Sequence, residues 1–240
     1  MNQVNKAMWE VSLPTGYYDE IVYNSKLKQK GLQGFWHHLT FKTVNKNIEN
    51  SNYNLDYACG PGTFMGMYFK KRAVGYDISK SQINFAQKKY KNDKFIFTTS
   101  KDSIKIKGPF KSATMLGLLE FLSEKESIKL INFLYNQLEP GGTLVLTTPN
   151  YQITMKLILK LLTFFSAINY SLVTINKIDK SKLVNLIEQT NFKNYEIKKS
   201  HNFFIILSII SHNLAEKISV YFDNFTKNRF GLMLIVKLKK

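Results

Sequence analysis

The residue types and order that could do chemistry sit in two short segments. Residues 55–62 read Leu55-Asp56-Tyr57-Ala58-Cys59-Gly60-Pro61-Gly62, and Ala73-Val74-Gly75-Tyr76-Asp77 follows. Each segment is an apolar, strand-like run. The first stops at a glycine turn and the second at a carboxylate. Such a pair builds a nucleoside pocket at the carboxyl edge of the first two strands of an α/β sheet. Gly60 and Gly62 can take positive φ, which lets the backbone pass close to a ligand. A helix starting after Gly62 would point free N–H groups at that ligand. Asp77, at the end of the second strand, can accept hydrogen bonds from both hydroxyls of a ribose.

The dinucleotide fingerprint G-x-G-x-x-G fits poorly, because Met65 stands where its third glycine belongs. Pro61 also removes an N–H from the turn, which suits a pyrophosphate badly. The segment instead resembles motif I of class I S-adenosylmethionine-dependent methyltransferases, of the form L-D-x-G-C-G-x-G. Ala58 stands in place of that motif's first glycine and leaves less room for the methionine part of the cofactor. The resemblance covers about residues 53–150. It implies that Asp56 sits near the methionine amino group or orders the turn, and that Ala58, Gly60 and Gly62 pass beneath the cofactor. It further implies that Asp77 binds the ribose, that Ile78 packs on the adenine, and that Leu116 and Leu118 border the methionine end. Asp102, after the third strand, is the candidate for the acid near the adenine amine, against a plain loop aspartate. Leu119-Glu120-Phe121-Leu122 is similar to the family's L-E-H-L, with Phe121 replacing the histidine.

On the acceptor side, Gly16-Tyr17-Tyr18-Asp19 and Gly34-Phe35-Trp36-His37-His38 resemble the N-terminal segment of bacterial methyltransferases of glycan and secondary-metabolite pathways. That segment folds over the cofactor and helps wall the acceptor site. Tyr17, Trp36 and His37 are candidates for pocket lining, and His37 or His38 for a general base. An aromatic-rich helix packed on the sheet is the competing explanation. Thr147-Thr148-Pro149-Asn150 resembles the edge found in small-molecule and lipid methyltransferases. The N/D-P-P-Y/F motif of amino-methylating nucleic-acid enzymes is missing after the fourth strand.

These residues need a sheet to position them, and the chain spells one out. Strands are expected at 55–59, 73–77, 95–99, 112–116 and 143–148, with helices at 63–71 and 79–90 between them. Ser123-Glu124-Lys125-Glu126 has the form of a capping box and opens a helix that Pro140-Gly141-Gly142 should end. A helix at 182–190 capped by Asp179, and late strands at 195–199 and 232–237, complete the pattern. Strand–helix alternation at this spacing predicts an α/β fold with a parallel sheet and helices on both faces. The resemblance implies the Rossmann-like class I methyltransferase form, seven-stranded with the last strand antiparallel. One domain of 1–240 is expected: a helical cap at 1–50, a cofactor half at 53–150, and an acceptor half at 151–240 with an apolar helical insertion at 203–225.

Composition narrows the partners. Net charge is +17, which suits nucleic acid or an anionic membrane. Only Arg72 and Arg229 are arginine, however, and base or phosphate recognition favours the arginine fork. The lysines are scattered in pairs, as a lysine-heavy composition would scatter them. Cys59 is the one cysteine, so no disulfide framework or multi-cysteine zinc site exists, and no metal is expected. It reads as a small buried residue. No signal-peptide h-region stands in 1–16, and a cytoplasmic location is expected. Two uncharged stretches, Leu161 to Asn176 and Ser200 to Ala215, are shorter than the roughly 20 apolar residues of a spanning helix. They read as core or lid, or as peripheral contact with a bilayer or a lipid-tailed substrate. The expected function is S-adenosylmethionine-dependent methyl transfer to O or N of a small, sugar- or lipid-linked acceptor. An RNA methyltransferase and a non-catalytic S-adenosylmethionine-binding module are the alternatives.

Overall fold

A computed structural model describes residues 13–152, 174–226 and 229–240. Two helices, α1 (Tyr17–Lys28) and α2 (Leu32–Asn47), precede the sheet. They cross at Gly34, where an added Cβ would lie 2.1 Å from the Ser25 Cβ, so only glycine allows this approach. Strand β1 (Tyr53–Tyr57) leads through the glycine turn into a short helical stretch that ends as a π-helix, Met65–Phe69. Strand β2 (Arg72–Tyr76), α3 (Lys80–Tyr90), β3 (Phe95–Thr98), α4 (Lys101–Lys107) and β4 (Phe110–Leu116) follow. A 3-10 turn at Leu119–Phe121 precedes α5 (Glu124–Gln137) and β5 (Leu138–Pro149). The remaining elements are α6 (Lys180–Glu188), β6 (Asn194–Ser200), a 3-10 segment at Phe203–Ile209, α7 (His212–Thr226) and β7 (Met233–Lys239).

The described residues form one seven-stranded sheet in the order β3-β2-β1-β4-β5-β7-β6. All neighbours pair parallel except β7, which runs antiparallel to both β5 and β6. The chain winds outward from β1 to β3 and then returns to start β4 on the other side of β1. Ligands of open α/β sheets bind outside the carboxyl ends of the strands at such a switch point. Two apolar clusters cover the two faces. One joins Val22, Phe35 and Phe64 to Val145, and the other joins Leu55 and Val74 to Ile131, Leu134 and Leu183.

Local signals act where the sequence puts them. Ser123 and Glu126 form a complete capping box at the start of α5, and Asp179 accepts from the Lys182 N–H at the start of α6. Several boundaries shift by a few residues, and two differences have a clear cause. Helix α5 stops at Gln137, before Pro140-Gly141-Gly142, because Leu138 pairs with Phe110 and draws the chain into β5. The segment after β3 is helical rather than a loop, since the Ser100 hydroxyl accepts from the Ser103 N–H and starts α4. Among the described residues, the stretch 200–215 divides between the end of β6, the 3-10 segment and the start of α7. Most of the stretch 161–176 lies outside the described residues. No described helix is long and apolar enough to cross a membrane.

Candidate functional site

The turn after β1 is held by its own backbone. Ala58, Gly60 and Gly62 all take positive φ, at 61°, 52° and 75°. Alanine pays for this conformation, at roughly 1–2 kcal/mol for a side chain in the left-handed region. Cys59 N–H donates to Tyr76 O at 3.0 Å, and Gly62 N–H donates to Cys59 O at 3.0 Å. Gly60 N–H donates to Asp77 Oδ2 at 2.8 Å. Pro61 has no N–H to offer. The turn therefore commits its donors internally and forms no phosphate cradle, which agrees with its departure from the dinucleotide pattern.

Asp77 closes the turn from the β2 side. Its second oxygen accepts from the Ser79 N–H at 2.8 Å. The Ile78 N–H also bonds this carboxylate, which still keeps acceptor capacity for a further donor. Burial pushes the Asp77 carboxyl up, against the pull of the Ser79 and Gly60 N–H groups. Asp56, 2% exposed, accepts from Thr114 Oγ1 at 2.7 Å. Desolvation raises its pKa to about 7, opposed by the Thr114 hydroxyl.

A cavity of about 630 Å³ lies over this turn. Asp56, Ala58, Gly60, Asp77, Ile78, Leu116 and Leu118 line it. The same cavity continues past the ends of β4 and β5 to Thr147, Pro149 and Tyr151, under a wall of Tyr18, Trp36, His37 and Phe41 from α1 and α2. His37 is half-buried by surface yet set deep among aromatic rings, and lies 5.1 Å from the Tyr18 ring. Burial, then the nearby His201, lowers its pKa to about 4, so the imidazole is neutral at neutral pH.

Several candidates lie elsewhere. Asp102 sits on the outside of α4, with its side chain 83% exposed and paired to Lys105 at 3.3 Å. It does not line the cavity; Lys101 does. The cap at Ser100 turns that stretch into a helix and carries Asp102 outward. Gly62 does not line the cavity either, and a Cβ there would meet the Phe97 ring at 2.8 Å. His38 Nδ1 bonds Tyr68 Oη at 2.8 Å outside the cavity. Tyr17 lies behind the wall, its hydroxyl 3.4 Å from Gln33 Oε1.

Two further buried carboxylates belong to this region. Glu120, 5% exposed, lines the cavity. Its Oε2 accepts from Thr148 Oγ1 at 3.4 Å, and its Oε1 lies against Gly117 at the end of β4. Burial raises its pKa to about 7, opposed by hydrogen bonds from its own backbone and Thr148. Asp19, fully buried, accepts from Thr63 Oγ1 at 3.1 Å and from Lys89 Nζ and Tyr90 Oη. It ties α1 to the helix that follows the turn and to α3, and so sets the cap over the cavity. Among the described residues, no cluster of three or more His, Cys, Asp or Glu side chains could hold a metal ion.

A methyltransferase-domain family matches residues 29–197. The chain belongs to that family. It is a class I methyltransferase whose cofactor is S-adenosylmethionine. Solved structures share the methyltransferase's fold at low identity. The plantazolicin methyltransferase BpumL, in complex with a triazolic desmethylPZN analog and SAH, is 18% identical with a TM-score of 0.61, over 99% of this chain and 96% of that one. Magnesium protoporphyrin IX methyltransferase (ChlM) from Synechocystis PCC 6803, with bound SAH, is 14% identical with a TM-score of 0.56, over 85% and 83%. A SAM dependent methyltransferase from Archaeoglobus fulgidus is 15% identical with a TM-score of 0.54, over 83% and 94%. No curated protein matches the methyltransferase by sequence.

Proposed function

We propose that the methyltransferase methylates an oxygen or nitrogen of a small acceptor, including sugar- or lipid-linked ones. One observation carries this reading: a single cavity runs from the Asp77 turn to the aromatic wall of Tyr18, Trp36, His37 and Phe41. Donor and acceptor would meet inside it. Its volume is in the range of small-molecule sites. The named substrates of the structural neighbours, a plantazolicin analog and a magnesium porphyrin, support a small-molecule acceptor.

S-adenosylmethionine supplies an activated methyl group, so most of the chain's task is positioning and exclusion of water. Asp77 would bind the ribose diol through the lone pairs left over from Gly60 and Ser79. Ile78 would pack on the adenine, and Leu116 and Leu118 would flank the methionine end. Asp56 fits the amino group of that end. A buried carboxylate with one hydroxyl partner is completed by a cation, and its desolvation is then offset. Ala58 would narrow the passage between these groups. Asp102, on the solvent side of α4, would take no part.

Glu120 would take the acceptor's proton at its carboxylate. It stands between the ends of β4 and β5, on the far side of the turn from Asp77, and its pKa near 7 matches the task. His37 would orient the acceptor among the aromatic rings. The test is methyl transfer from labelled S-adenosylmethionine to a panel of phenols, carboxylic acids, sugars and amines. Labelled small-molecule product that falls about 100-fold with Glu120→Gln supports the reading. Labelling of RNA with no labelled small molecule would overturn it.

A further inference from the structure

Exposed large apolar side chains are concentrated in one part of the molecule. Most of those among the described residues fall within residues 203–230, on or next to the 3-10 segment and α7. Ile210, Tyr221 and Phe225 are 73%, 77% and 79% exposed. Soluble proteins rarely leave such patches open without a partner.

The charges around this face are sorted. At 3.6 residues per turn, Leu214, Tyr221 and Phe225 follow i, i+7, i+11 spacing and share one side of α7. Lys217 flanks that side. Glu216 and Asp223 lie on nearly the opposite side, where Glu216 pairs with Lys42 and Asp223 accepts from Asn202. At the start of the helix the same sorting continues on a second element. His212 N–H donates to Gln29 O at 2.8 Å, and Gly31 N–H donates to Ser208 O at 2.6 Å. These bonds set Ile209 and Ile210 beside the end of α1 and the short loop that follows it. Lys28 and Lys30 stand there with Leu27, 65% exposed, while Lys26 turns to the Tyr68 ring, 5.2 Å from its centroid. Neither the 24–31 stretch nor the 202–214 stretch contains an acidic residue.

We propose that this face docks the enzyme on an anionic lipid surface, with the apolar side of α7 and Ile210 in the headgroup layer and Lys28, Lys30 and Lys217 on the lipid charges. An apolar stripe with basic flanks and its acids turned away is the arrangement of an interfacial helix. The aromatic Tyr221 and Phe225 suit that layer, and each lysine near the surface is worth about fivefold in affinity. The site lies outside the cavity and does not depend on the choice of acceptor.

Co-sedimentation of the full chain with vesicles tests this without cofactor or acceptor. Phosphatidylcholine vesicles containing phosphatidylserine should pellet the protein, and pure phosphatidylcholine should pellet about tenfold less. Raising the salt should release it. Tyr221→Ser with Phe225→Ser, and separately Ile210→Asp, should each cut binding about tenfold; all three positions are exposed, so folding is preserved. Ile106→Asp, at another exposed apolar position, should bind like the wild type. Protein that stays in the supernatant with anionic vesicles overturns the proposal. So does equal loss in Ile106→Asp. A concentration-dependent dimer that Tyr221→Ser/Phe225→Ser abolishes, in a protein that ignores vesicles, would assign the face to a second copy instead.

Discussion

The two ends of the cavity, proposed above for donor and acceptor, are built differently. The donor end comes from short, nearly contiguous segments and is held by backbone geometry: three positive φ angles and a carboxylate that Gly60 and Ser79 grip through their N–H groups. The acceptor end is a wall of side chains from α1, α2, the turn at Glu120, the end of β5 and residues 151 and 174. A donor that never changes can be met by a fixed backbone. An acceptor that differs between enzymes is met by side chains, which can be exchanged without rebuilding the sheet.

The sharpest way to break this division is at the joint between the two ends. Asp19→Ala removes the buried carboxylate that ties the cap to Thr63, Lys89 and Tyr90, leaving Lys89 and Tyr90 without that partner. A loss of about 3 kcal/mol in denaturant-induced unfolding is expected, from the charge-assisted hydrogen bonds lost by Thr63 and Tyr90, because Lys89 is 38% exposed and can turn to water. Next in size is the pH response. Asp56 and Glu120, one at each end, hold their protons up to about pH 7, whereas the unfolded chain releases them near pH 4. The native state therefore binds more protons between pH 4 and 7. The stability they contribute is fully present below pH 4 and is lost as pH rises through 7. Thermal or chemical unfolding should show a fall on the order of a few kcal/mol over that window. Asp56→Asn with Glu120→Gln should flatten it.

Smaller effects separate backbone from side chain within the donor end. Ala58→Gly relieves a left-handed alanine at φ 61° and should stabilise the fold by about 0.5–1 kcal/mol after the entropy cost of glycine. Asp102→Ala should do least, within about 0.5 kcal/mol in stability and with unchanged S-adenosylhomocysteine affinity. A large loss of affinity there would return Asp102 to the adenine site.

The same division explains what could be read without a structure. The turn, Asp77 and most strands were legible because their signals are local: glycine spacing, apolar runs, a capping box. The exit of α5 was misplaced because Leu138 is claimed by a strand partner, Phe110, distant in sequence. Asp102 was misplaced by a local signal overlooked, the serine cap of α4. Asp19 was hidden because its partners lie 44 to 71 residues away and no short pattern links them. Glu120 was visible in the sequence, but its burial beside Thr148 and Gly117 was not, and burial is what raises its pKa.

The most direct test of the donor end is calorimetric titration of the chain with S-adenosylhomocysteine, alone and with Asp77→Asn and Asp77→Ala. One molecule should bind per chain. Asp77→Asn, which keeps one acceptor oxygen, should weaken binding about tenfold, and Asp77→Ala should weaken it further. No binding by the wild type, or equal affinity in all three proteins, would contradict the account.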